Sequence, residues 1–124
     1  MTFPTFVATL TADKDNPNNM TIAFTMALNA QKKGHRATVL LLSDAVKLVQ
    51  KGYADGIDIG DPFKPINELI SELQAEGGSI HVCSACMQHN DISPDGDLIE
   101  GIEIVHAEEV IDLLDNAKTT LQLN

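Results

Sequence analysis

The chain has 124 residues, of which 44% are apolar and 21% charged, and a formal net charge of −10. This length and composition are typical of one globular domain, so we expect a single domain over residues 1–124 and exclude a disordered chain. Residues 63–124 carry twelve acidic and two basic residues, which disfavours nucleic acids and anionic membranes as partners, because each phosphate contact requires a basic side chain.

Hydrophobic periodicity and turn residues predict alternating strands and helices. We predict strands at residues 3–11, 36–42, 79–82, 102–105 and 119–123, and helices at 17–33, 45–51, 65–76 and 108–116, with a short helix after Cys83. Residues 53–64 and 91–101 are predicted as long polar loops. The cap of the helix at 45–51 is expected at Ser43 or Asp44, and helix 108–116 is expected to use Val110, Ile111 and Leu114 as its apolar residues.

The alternation of strands and helices predicts an α/β fold, a three-layer sandwich with a mostly parallel sheet of about five strands. Ligand sites in such sheets lie beyond the carboxyl ends of the strands, which here are the loops after Thr11, Leu42 and Val82. The helix at 17–33 is apolar on almost every side, so we expect a second subunit to cover part of it. We therefore predict a homo-oligomer.

Cys83 and Cys86 form a Cys-x-x-Cys motif at the end of the third predicted strand. A thiolate at this position can be stabilised by free backbone amides, and the second thiol can resolve a disulfide or persulfide formed on the first. Two alternatives remain open, namely two buried packing cysteines and a metal site that adds His81 or His89. A structural zinc site usually needs four ligands, and no second cysteine pair exists; we predict no metal ligand.

Other chemistries have less support in the sequence. The cysteine motif occurs late in the chain and the chain contains no tryptophan, which is unlike thioredoxin-type oxidoreductases. No glycine-rich phosphate loop is present, and we predict no cofactor. Asp13 and Asp15 follow the first strand and border the expected site, whereas His35 and His106 are expected to be solvated or packing residues.

Three segments in register resemble the DsrE/DsrF family, specifically its YchN-like members. They are the sequences LSDAV at residues 42–46, VCSAC at 82–86 and LIEGIEI at 98–104. The resemblance covers nearly the whole chain, and it implies a compact α/β fold, a homotrimer or homohexamer, and a functional cysteine within the Cys83–Cys86 segment. In the sulfur-relay branches of the family, that cysteine carries persulfide sulfur to a partner protein.

The resemblance thus predicts a sulfur-handling protein that carries or relays persulfide sulfur on Cys83 or Cys86, with a sulfur-donor or sulfur-acceptor protein as partner. Whether such a carrier is an enzyme of sulfurtransferase type stays open. The alternative is a non-catalytic oligomeric binding module in which the cysteines pack or bind metal. Many relatives have an Arg-Gly pair after the cysteines, where this chain has His89-Asn90-Asp91-Ile92.

The expected location is the cytoplasm. No apolar segment approaches the roughly 20 residues that span a bilayer, and the first residues lack the basic and long apolar regions of a signal peptide. Two cysteines also do not form the disulfide framework of a small secreted protein.

Overall fold

Five parallel strands in the order β4-β3-β2-β1-β5 form the centre of the structure, which is a computed structural model that describes residues 2–124. The strands are β1 (Phe6–Leu10), β2 (Ala37–Leu41), β3 (Ser79–Cys83), β4 (Ile102–Val105) and β5 (Thr119–Leu123). The helices are α1 (Pro17–Lys32), α2 (Ile66–Ala75), α3 (Ser84–His89) and α4 (Ala107–Asn116), with a 3-10 helix, Ser43–Val49, between β2 and α2. The predicted α/β fold is confirmed, and every strand pair is parallel.

The order of the strands explains why helices cover both faces of the sheet. From β1 to β4 the chain moves in one direction across the sheet, and then it crosses to the opposite edge to form β5. Because crossovers between parallel strands are right-handed, helices on the two paths lie on opposite faces. A large apolar cluster accordingly joins one face to residues of α1, α2 and α3, whereas a smaller cluster joins the other face to Leu113 of α4.

The helix α1 is covered mainly by its own chain. The Asn16 side chain caps its first turn by accepting a hydrogen bond from the Asn19 amide, and Pro17 occupies its first position. Gly34 follows its end with a φ of +104°, a backbone conformation that favours glycine. Most apolar residues of α1 are buried in the large cluster, and Met26, which is 47% exposed, is the main exception. The sheet and α2 therefore provide most of the cover that we expected from a second subunit.

The predicted apolar stripe of α2 is confirmed, since Ile66, Leu69, Ile70 and Leu73 are all buried. The prediction for α4 was partly wrong. Val110, Leu113 and Leu114 belong to the smaller cluster, whereas Ile111 is 56% exposed. Positions 110, 113 and 114 lie on one side of a helix, and Ile111 projects about 100° away from Val110.

The predicted cap at Ser43 or Asp44 was wrong. The segment after β2 is a 3-10 helix that already includes Ser43, and the residue before it, Leu42, has an extended backbone. Ser43 has a φ of +53°, so the chain turns there through the left-handed region instead of using a polar side chain as a cap.

Two further features concern the surface. Residues 53–64 and 91–101 contain no helix and no strand, as predicted. Across residues 2–124, each helix is too short or too polar to traverse a bilayer.

Candidate functional site

Cys83 lies at the carboxyl end of the sheet, the edge where the sequence analysis expected a ligand site. It is the last residue of β3, it pairs in register with Val105 of β4, and it immediately precedes α3. The preceding core residues Ile80 and Val82 are fully buried on the large-cluster face. These contacts fix the end of β3. Cys83 lies at the carboxyl edge of the sheet, with 8% of its surface exposed.

Cys86 follows in the first turn of α3 and is half-buried, and both cysteines are free thiols. Cys83 immediately precedes α3 and Cys86 is the third residue of that helix, so the two thiols lie on the same side of its first turn. Burial raises the pKa of the Cys86 thiol above its usual value, and the hydrogen bond with Cys83 raises it further. Cys86 is therefore a protonated thiol at neutral pH, able to donate its S–H to the Cys83 sulfur.

The backbone amide of Ser43 also faces Cys86. Its N–H donates a hydrogen bond to the Cys86 sulfur, which lowers the pKa of this thiol and partly offsets the effect of burial. The two residues meet because β2 and β3 are neighbours in the sheet, so the segments that follow them leave at the same edge. Sequence analysis missed this contact, since the group involved is a main-chain amide with no signature in the side-chain pattern.

A second polar network lies beyond the end of β1. Asp13 accepts a hydrogen bond from the Tyr53 hydroxyl and forms an ion pair with Lys47, with 3.2 Å between nitrogen and oxygen. The Lys14 ammonium lies 4.0 Å from the centre of the Tyr53 ring. This network holds the start of the 53–64 loop against the segment after β1. Asp15, the other acidic residue expected near the site, takes no part in these contacts.

The network shifts the pKa of both acidic partners. Burial raises the pKa of Tyr53 to about 12, and its hydrogen bond to Asp13 acts in the same direction. Burial alone would raise the pKa of Asp13, but the hydrogen bonds from Tyr53, the Lys14 backbone and Lys47 outweigh it, and the pKa is lowered. At neutral pH the pair is thus a neutral phenol donating to a carboxylate.

The candidate metal ligands do not converge with the cysteines. His81 is buried, and its ring nitrogens contact the Thr38 hydroxyl at 2.6 Å and the Glu103 carboxylate at 2.8 Å. Its side chain points away from the face occupied by Val82, as the strand pattern predicts. His89 is an exposed residue at the end of α3. Within residues 2–124 no group of three histidine, cysteine or acidic side chains could hold a metal ion.

Two cavities lie on different sides of the site. One of about 410 Å³ runs along α3 and is lined by Ser84, Met87 and Gln88 together with Ile104 and residues of the 91–94 segment. The other, of about 460 Å³, is lined by the first residues of β2 and β3 and by α4, so it lies toward the opposite edge of the sheet. Only the first cavity is formed by the helix that carries Cys86.

Comparison with known proteins identifies the family. The sequence model of the DsrE/DsrF-like family matches residues 6–123. The chain belongs to the DsrE/DsrF-like family. The match includes the whole sheet and both cysteines of the chain. Among curated proteins, none gives a significant match.

Several solved structures share the fold of this chain at low sequence identity. The ychN protein from E. coli is 19% identical with a TM-score of 0.77, and the match covers 99% of this chain and 100% of that one. MTH1491 from Methanobacterium thermoautotrophicum, described as a protein of unknown function, is 18% identical with a TM-score of 0.66 and coverages of 94% and 96%. BT1422 from Bacteroides thetaiotaomicron, also of unknown function, is 21% identical with a TM-score of 0.64 and coverages of 95% and 93%. At these sequence identities the similarities show the fold alone, so the chemistry has to be inferred from the residues of this chain.

Proposed function

We propose that this chain is a cytoplasmic sulfur carrier of the DsrE/DsrF type, which holds sulfur as a persulfide on Cys83 and passes it to a partner protein. The observation that carries the proposal is the placement of two free thiols at the carboxyl edge of a parallel sheet, Cys83 at the end of β3 and Cys86 in the first turn of α3. Membership of the DsrE/DsrF-like family supports it.

The loading step needs no cofactor. The Cys83 thiolate attacks the outer sulfur of a persulfide donor, a new S–S bond forms on Cys83, and the bond inside the donor breaks. The donor leaves as a thiolate, and Cys83 becomes a persulfide. In the relay step, a thiolate of the acceptor protein attacks the outer sulfur in the same way, and Cys83 is restored.

The two cysteines have different roles in this proposal. Burial and the hydrogen bond with Cys83 raise the pKa of Cys86, so Cys86 is protonated at neutral pH. A protonated thiol is a poor nucleophile. Cys83 is therefore assigned as the carrier, and Cys86 as the second thiol of the site.

The experiment compares sulfur uptake by the single variants Cys83→Ser and Cys86→Ser. Each protein is reduced, desalted and treated with glutathione persulfide, and its intact mass is measured. We expect Cys86→Ser to gain about 32 Da, the mass of one sulfur atom, and Cys83→Ser to gain none. The double variant lacks both cysteines of the chain and is the negative control. Uptake by Cys83→Ser alone would reverse the assignment, and no uptake by either single variant would refute the carrier proposal.

The burial of Cys83 favours the second candidate, a non-catalytic oligomeric binding module in which the cysteines only pack. Apolar burial makes a thiol inert, and Cys83 is 8% exposed. Alkylation by iodoacetamide at neutral pH separates the two candidates. A packing pair predicts that both thiols alkylate more slowly than free cysteine, whereas a carrier predicts that one of them alkylates faster.

We also propose that the chain assembles as a homotrimer or homohexamer. Three large apolar side chains that are more than one-third exposed, Met26, Ile104 and Ile111, support this, because closed oligomers bury such positions. Light scattering at micromolar concentration tests it, and a mass of 13.4 kDa, that of one chain, would refute it.

A further inference from the structure

We propose that Cys86 discharges the sulfur carried by Cys83, so that without an acceptor the loaded chain releases hydrogen sulfide and closes a Cys83–Cys86 disulfide. This inference rests on the proposed sulfur loading and adds a second activity, reductive release of sulfide. It assigns to Cys86 a chemical step that a carrier with a single cysteine cannot perform.

The two thiols are neighbours at the end of β3. Cys83 immediately precedes α3 and Cys86 is the third residue of that helix, and side chains three residues apart at a helical turn lie on the same side, so the Cys86 sulfur is beside the atom that carries the added sulfur. A reaction between groups held in this way is unimolecular, and it is faster than the same reaction with a thiol in solution. A persulfide on Cys83 therefore has a competing nucleophile within its own site.

The surroundings of Cys86 also favour its attack on the persulfide. The Ser43 amide donates a hydrogen bond to its sulfur, which favours the thiolate that must form before it can attack. Cys86 is also half-buried in the first turn of α3, directly after the strand that ends at Cys83. The sulfur is thus held close to Cys83 and near the surface, where sulfide can leave.

The step balances without an external oxidant. The Cys86 thiolate attacks the inner sulfur of the Cys83 persulfide, the Cys83–Cys86 disulfide forms, and the bond to the outer sulfur breaks. The outer sulfur leaves as hydrosulfide and takes up the proton that Cys86 released. Two electrons pass from the thiols to the sulfane sulfur, which is reduced to sulfide. A dithiol reductant is then required to reopen the disulfide.

The experiment follows mass and sulfide together. Fully reduced wild-type chain is treated without oxygen with one equivalent of glutathione persulfide, and samples are blocked with iodoacetamide over time. After the mass added by iodoacetamide is subtracted, we expect a transient species heavier than the reduced chain by about 32 Da, which converts to one lighter than it by about 2 Da, as a disulfide requires. Sulfide should appear at the rate of that conversion, with one sulfide per disulfide.

The Cys86→Ser variant is the matched control. It should keep the added 32 Da, approximately the mass of one sulfur, and release no sulfide, and addition of dithiothreitol to the oxidised wild type should restore two free thiols. A wild-type chain that holds the added sulfur as stably as Cys86→Ser would overturn the inference and leave the carrier proposal intact. Failure of Cys86→Ser to load any sulfur would overturn the carrier proposal itself.

Discussion

Ser43 provides the most direct test of how the site is built, because its φ of +53° is unusual for a residue with a side chain. The left-handed conformation costs about 1–2 kcal/mol for a non-glycine residue. Ser43→Gly removes this cost, and the greater flexibility of glycine in the unfolded chain takes back about 0.5–1 kcal/mol. We expect Ser43→Gly to raise the free energy of unfolding by about 0.5–1 kcal/mol in urea denaturation.

Ser43→Val should act in the opposite direction. A β-branched residue is strained at positive φ, so we expect a loss of about 1–2 kcal/mol. The Ser43 side chain is exposed, and neither substitution disturbs a packed contact. Asp44→Val is the matched control, because Asp44 is also exposed in the same 3-10 helix; its effect should stay within about 0.5 kcal/mol.

The same variants test whether this turn positions the amide that faces Cys86. Ser43→Gly keeps both the N–H and the turn, so the pKa of the Cys86 thiol should not change. Ser43→Val strains the turn and should weaken the hydrogen bond, which would raise the pKa of Cys86 further. Alkylation rate against pH, measured in a Cys83→Ser background, reports this pKa. Equal stability of Ser43→Gly and Ser43→Val, or identical pH profiles, would refute the reasoning.

Three further predictions follow from the contacts described. Because the pKa of Cys86 is raised from 9.0, sulfide release should accelerate about tenfold per pH unit from pH 7 to above pH 9; a plateau below pH 8 would contradict the assignment of Cys86 as the attacking thiol. Tyr53→Phe removes the hydrogen bond to Asp13 and should cost about 0.5–1.5 kcal/mol in urea denaturation at pH 7. The pKa of Asp13 is lowered from 3.8 in the folded chain, so its carboxylate contributes stability above about pH 3.8, and this stability is lost as the pH falls through the lowered pKa. The stability deficit of Tyr53→Phe should therefore shrink below pH 3.8. A deficit that is equal at pH 7 and pH 2.5 would be inconsistent with this account. Leu73→Ala, at a fully buried position of α2, should cost about 2–5 kcal/mol, whereas Ser71→Ala, at an exposed position of the same helix, should change the free energy of unfolding by less than about 0.5 kcal/mol; similar losses for both would contradict the core assignment.

The helices and strands were predicted best where apolar residues recur at a regular spacing and a capping or turn residue marks the end of the element. The strand at 119–123 and the strand at 102–105 have the predicted bounds. The helix α1 begins at Pro17 after the Asn16 cap and ends just before Gly34, since local capping chemistry fixes both ends. The first strand was predicted from residue 3 but begins at Phe6, which pairs with Ala37, the first residue of β2. Its start depends on a partner strand that is distant in the sequence.

The candidate site was less predictable than the fold. The position of Cys83 at a strand end followed from the alternation of strands and helices. The amide of Ser43 could not be predicted, because its direction depends on one backbone angle and on the packing of the 3-10 helix against α3. The exposure of Ile111 was missed for a related reason, since four apolar residues within 110–114 offer more than one possible buried face and the sheet selects one of them.

The raised pKa of Cys86 connects the two proposed activities. With a pKa above 9.0, no more than about 1% of Cys86 is thiolate at pH 7. Internal discharge is therefore slow at neutral pH in spite of the contact between the thiols, and the loaded Cys83 has time to meet an acceptor. If the two proposals hold, we expect an acceptor thiol with a lower pKa to receive the sulfur first, and a chain that meets no acceptor to release sulfide and to remain oxidised until a dithiol reduces it. The balance between relay and release is thus set at Cys86, where burial, the Cys83 contact and the Ser43 amide determine the fraction of thiolate.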